Sequence, residues 1–124
     1  RVRFSLPDSI LFKPGSSELN KAAHVELDIL GQLLKNFSGY ITIEGHTDEL
    51  KARGLNYANN WELSLGRALS VMHYLVKEHK LPENRVTPVA AGSRRSIAAN
   101  TDEAGRSKNR RVEFILSFDP PKDD

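Results

Sequence analysis

From Glu18 to Phe37 apolar residues recur at helical spacing, and from Tyr40 the period shortens to two. Only Ser38 and Gly39 separate the two patterns, and this restricts the fold more than any other feature, because a helix that runs straight into a strand must lie back on that strand's sheet. Ala23, Leu27, Leu30, Leu34 and Phe37 form the helical stripe, with Ile29 and Leu33 widening it. Ile41, Thr42, Ile43 and Glu44 then alternate as a strand, and Gly45 reads as its break. A second helix is expected from about Asn60 to His79. Asn59 or Asn60 can cap it, Glu62 stands in a capping-box position, and Leu65, Ala68, Leu69, Met72, Leu75 and Val76 are its expected buried face. Lys77, His79 and Lys80 suit its negative end, and Pro82 lies just beyond.

Strands complete the pattern. Val2, Phe4 and Leu6 alternate with polar residues up to Pro7 and Asp8, a first strand buried on one side. Ile10, Leu11 and Phe12 are apolar before a turn over Lys13, Pro14, Gly15 and two serines. Arg85 to Ala91 reads as a third strand, with Pro88 placing part of it at an edge or bulge. Ser93 to Arg106 reads as a surface loop with one helical turn from Thr101, and Val112 to Phe118 as the last strand. The order β-α-β-α-β-β predicts an α+β two-layer sandwich: a mixed four-stranded sheet with both long helices on one face. Residues 1–118 are expected to form one domain and 119–124 a tail.

The chain has 124 residues and is 39% hydrophobic, enough for one modest core. Eighteen Lys and Arg against sixteen Asp and Glu leave a charge near balance, which demands neither nucleic acid nor membrane as partner. Cysteine is absent, which removes disulfides, thiolate metal sites and cysteine nucleophiles. No apolar run approaches the roughly 18 residues of a membrane span. The chain opens on Arg1 and its one methionine is Met72, so it is expected to be part of a longer protein carrying its own targeting segment.

The densest polar chemistry lies between Ile41 and Arg67. His46, Thr47 and Asp48 stand at a strand's end, where α/β sheets place ligands, and Arg67 stands about two turns into the second helix. A carboxylate and a guanidinium so placed would give a site one negative and one positive anchor. Taken alone, they read first as a structural salt bridge or as two solvated charges.

HTD after a strand, NWELSLGRALSV opening the second helix and GRSKNRRVEF entering the last strand together resemble the OmpA-like peptidoglycan-binding family, and LFKPGSSEL resembles its first-strand end and turn. The longer loop before NWELS is similar to the MotB-type subgroup of flagellar stators. The resemblance implies noncovalent binding of peptidoglycan through the diaminopimelate of its stem peptide. On that reading Asp48 takes the ligand's ammonium, Arg67 takes its carboxylate through both prongs of the fork, and Asn60 and backbone amides hold the rest of the peptide. By family position Thr47 and Leu63 line the pocket, Arg111 lies beside it and Phe12 forms part of its wall. The family also implies a periplasmic setting, attached to the inner or outer membrane through a segment this chain lacks, and leaves a homodimer open.

Other function classes stand beside this one. The resemblance covers, besides stators, anchor domains of peptidoglycan-associated lipoproteins and outer-membrane proteins, and a ligand-free dimerisation module is a further alternative. No enzyme is expected, since Glu44 and Asp48 are the one near carboxylate pair in the site region. No cofactor or metal is expected, because His46 and Asp48 lack a third ligand at recognisable spacing. Nucleic acid is not expected either: Arg94, Arg95, Arg106, Lys108, Arg110 and Arg111 cluster without a recognition helix or aromatic platform. Trp61 and Tyr57 could stack on a sugar or serve as packing anchors. Residues 49–59 read as a flap beside the pocket.

Overall fold

The computed structural model describes residues 1–49 and 59–121. Almost all of the expected flap, with Tyr57, and the end of the expected tail lie outside the described residues. Strand β1 spans Val2–Pro7, and a one-turn helix α1, Asp8–Leu11, follows where sequence reading saw only an apolar stretch. Helix α2 spans Lys21–Leu34; Asn20 caps it by accepting from the Ala23 N–H at 2.9 Å. Strand β2 is Tyr40–His46, and helix α3, Asn60–His79, begins with Asn59 accepting from the Glu62 N–H at 2.9 Å. Strand β3 is Val86–Gly92, helix α4 is Glu103–Asn109 and strand β4 is Arg111–Ser117. The expected order of long elements is present, and the helical turn expected from Thr101 is a seven-residue helix, α4, capped by Asp102.

The sheet order is β1-β4-β2-β3. Strand β4 runs antiparallel to both β1 and β2, whereas β2 and β3 pair in parallel across α3, so the sheet is mixed. Pro88 lies on the edge strand, where its missing N–H does least harm. Ile41, Ile43, Val112 and Phe114 meet Leu27, Leu30 and Leu34 of α2 and Ala68, Val71 and Leu75 of α3 in one cluster, which puts both long helices on one sheet face.

Two details depart from the sequence reading. Ile29, Leu33, Leu65 and Leu69 were expected inside but are 57%, 71%, 39% and 44% exposed; Leu63, Ser64, Arg67 and Val71 are the residues α3 turns inward instead. The apolar sector of each helix is wider than the face its neighbours cover, so periodicity located the stripe and misplaced its centre. Gly45, read as a strand breaker, lies within β2. A Cβ there would stand 2.1 Å from the Ser64 carbonyl oxygen, so α3 crosses β2 against bare backbone.

Candidate functional site

That close crossing sets the start of α3 beside the end of β2. Thr47 continues β2 by donating its N–H to the Gly92 carbonyl at 2.8 Å, and Asp48 follows at the mouth of a cleft of about 630 Å³. Asp48, Arg67, Thr47, Asn60, Leu63 and Phe12 all line this cleft, so six of the seven residues expected from the family positions come together. Asn60 Nδ2 donates to the Asp48 carbonyl at 3.3 Å, and Thr47 Oγ1 to the same oxygen at 3.1 Å, which ties the strand end to the first turn of α3.

The seventh is corrected by geometry. Arg111 is buried on the opposite sheet face, where it donates to Glu113 at 2.5 Å, to the Asn109 carbonyl at 3.0 Å and to the Arg95 carbonyl at 2.9 Å. Strand alternation sends neighbours to opposite faces, and it is Arg110 that lines the cleft. Arg111 and Asn109 hold the neighbouring segment through backbone carbonyls, Arg111 that of Arg95 and Asn109, whose Nδ2 donates at 2.9 Å, that of Ala98. Asp8 also lines the cleft and was missed. Its position after Pro7 at a strand end was the one available signal.

The charges in the cleft alternate in sign. Arg67 Nη1 donates to Asp8 Oδ2 at 3.0 Å, Arg110 Nε lies 3.6 Å from that oxygen, and Arg110 Nη1 donates to Asp48 Oδ2 at 2.7 Å. Arg110 is held firmly in its charged form, first by its bond to Glu103, against some burial, and then by Asp48. Arg67 is 3% exposed, with Nε donating to the Ser16 carbonyl at 2.9 Å and Cζ 4.9 Å from the Phe12 ring centre. A guanidinium so confined is preorganised to receive a carboxylate, and Asp48 is an acceptor-only group suited to an ammonium.

Glu44, His46 and Glu113 form a separate buried cluster on the sheet face away from the helices, with ligand-type atoms within 4.8 Å of one another. The donor set would suit a divalent ion, but cations of the chain already serve the carboxylates. Arg3 and Arg111 bond Glu113, Arg95 bonds Glu44 at 3.2 Å, and His46 Nε2 lies 3.2 Å from Glu44. The His46 contact, opposed by burial and helped by Arg95, draws the Glu44 pKa below its usual value. We read the cluster as an internal ion-pair network and place no metal in it. His46 is thus a buried side chain tied into this network through Glu44. Arg94 lies 4.8 Å from the centre of the Trp61 ring, and Trp61 remains 45% exposed.

The fold and the cleft define an α+β ligand-binding domain. The chain belongs to the OmpA family, whose model matches residues 11–110. Motility protein B of Bacillus subtilis is 33% identical over 113 residues, a match covering 90% of this chain and 43% of the relative. The peptidoglycan-associated lipoprotein of Rhizobium meliloti is 34% identical over 110 residues, covering 88% of this chain and 60% of the relative. The chain thus spans roughly half the length of these curated relatives. A MotB-like protein of Desulfovibrio vulgaris superposes with a TM-score of 0.88 at 30% identity, over 96% of this chain and 74% of the other.

Proposed function

We propose that this domain binds peptidoglycan noncovalently through the diaminopimelate of the stem peptide and so anchors a longer, membrane-attached protein to the cell wall in the periplasm. The observation that carries the reading is the presence of Asp48 and Arg67 in one cleft of about 630 Å³, at the positions where the family's motifs fall. The end of a diaminopimelate side chain bears an ammonium and a carboxylate on one carbon, and such a head needs an anionic acceptor and a cationic fork side by side. Membership of the OmpA family and the name of the lipoprotein relative support the ligand class. Motility protein B supports a flagellar stator as the parent protein, with a lipoprotein as the second reading. An anchor is favoured over a hydrolase because both carboxylates that line the cleft, Asp8 and Asp48, are already engaged by guanidiniums rather than set across an open gap from each other.

The test is co-sedimentation with purified sacculi, with the supernatant assayed for released muropeptides. The parent is expected to sediment without release, and Asp48→Ala or Arg67→Ala to bind about ten- to a hundredfold more weakly, the loss of one charge-assisted hydrogen bond to the ligand. Arg67→Lys should recover only part of this, being a point charge without the fork. Release of muropeptides would replace the anchor with an enzyme, and unaltered binding by both truncations would move the anchor off this cleft.

A further inference from the structure

Asp8 sits where β1 passes into α1, and its backbone is fixed on both sides. Its N–H donates to the Arg110 carbonyl at 3.0 Å and its carbonyl accepts from the Phe12 N–H at 2.8 Å. Its carboxylate therefore has little freedom to choose a partner, yet one oxygen faces two guanidiniums, Arg67 at 3.0 Å and Arg110 at 3.6 Å. Two like charges brought this close repel each other unless an anion stands between them. Asp8 is that anion. It joins Ser16 and Phe12 in holding Arg67, so the plane of the guanidinium is set before any ligand arrives.

We propose that Asp8 is the positioning residue that sets the ligand specificity of the cleft: by orienting the Arg67 fork it makes the domain prefer a stem peptide whose terminal ammonium has a carboxylate beside it over one ending in an ammonium alone. The inference rests on the peptidoglycan-binding reading above. An ammonium alone, as on a lysine side chain, needs Asp48 and is indifferent to the plane of Arg67. A neighbouring carboxylate is captured by two parallel N–H bonds, and a fork that must first be oriented loses affinity for it. Neutralising Asp8 leaves Arg67 charged and still held by Ser16 and Phe12, but removes the anion that sets the Nη1 end of its fork against the repulsion of Arg110, so discrimination falls further than binding does.

The experiment is calorimetric titration of the chain with two soluble probes, L-Ala-γ-D-Glu-meso-diaminopimelate and L-Ala-γ-D-Glu-L-Lys. The parent should prefer the first by about tenfold or more, the worth of one good charged hydrogen bond. In Asp8→Asn the ratio of the two affinities should fall to within about threefold, and Asp8→Glu, which returns the charge, should restore much of it. A purely structural role for Asp8 would weaken both probes together and leave the ratio at the parent value, which would overturn the assignment and spare the proposed function. A parent that binds neither probe nor sacculi would overturn both. Asp8→Ser, which keeps an acceptor without the charge, carries the same comparison should Asp8→Asn not fold.

Discussion

Arg110 donates to the Asp48 carboxylate across 2.7 Å, while Arg111, one residue on, is turned to the other side of the sheet. Adjacent arginines at the start of β4 therefore have separate tasks. Arg110→Met should weaken binding to sacculi by about tenfold or more through the loss of one cation that holds the Asp48 carboxylate, at a modest stability cost of about 1–2 kcal/mol because Arg110 remains 25% exposed. Arg111→Met should do the reverse. It leaves the buried Glu113 with Arg3 in place of two guanidiniums and takes the donor from two backbone carbonyls, a loss of about 3 kcal/mol or more, and should spare binding at temperatures where the variant stays folded. Parallel melts and sedimentation assays separate the two, and equal effects in both assays would contradict the division.

Gly45→Ala should be among the most damaging small substitutions in the domain. Its Cβ would meet backbone atoms of Ser64 at 2.1 and 2.8 Å, and the helix has no side chain to fold away. We expect a loss of about 1–3 kcal/mol or more by urea unfolding. Binding should fall as well, since the same shift moves Arg67 relative to Asp48.

Acid should destabilise the domain through the sheet face away from the helices. Glu44 has its pKa lowered, first by the His46 contact, and Glu113 has its own lowered because bonds from Arg3 and Arg111 outweigh the upward push of burial. Both carboxylates bind protons more weakly folded than unfolded, so their contribution is complete above the usual value of 4.5 and is lost as pH falls through the lower folded values. Melts from about pH 6 down to about pH 3 should show stability declining across that window. Glu44→Gln should lower the slope by up to about one proton.

Lys80→Gly should stabilise the chain. Lys80 ends α3 in the left-handed region at φ 57°, a conformation that suits glycine and costs other residues about 1–2 kcal/mol. Glycine's greater freedom in the unfolded chain offsets part of this. A net gain of about 0.5–1 kcal/mol is expected in thermal or urea unfolding.

The parts of this structure that were legible in the sequence are those fixed by neighbours in the chain. Asn59 and Glu62 announce the start of α3, and Lys77, His79 and Lys80 its end, because capping and dipole effects act within one turn. Which side of α3 faces inward was not legible, since Leu65 and Leu69 look as apolar as Leu63 and Val71, and the choice is made by the bare backbone at Gly45. The insertion of β4 between β1 and β2 is equally invisible to local pattern. In the cleft, the motifs led to Asp48 and Arg67, whereas Asp8 offered only its place at a strand end, because its partner Arg67 lies 59 residues away. Choosing Arg110 over Arg111 required knowing where β4 begins.

The side chain of Asn109, wholly buried, accepts from the N–H groups of Ile97 and Ala98 and donates to the Ala98 carbonyl and to Asn100. These bonds stitch 97–100 to the end of α4, and the next residue is Arg110. The stretch from Ile97 to Arg110 is therefore a closed loop of fixed length with one end at the cleft. Insertions between Gly92 and Ile97 can be absorbed outside the stitch, whereas a single residue added between Ala98 and Asn109 would be transmitted through one peptide bond to the guanidinium that holds Asp48.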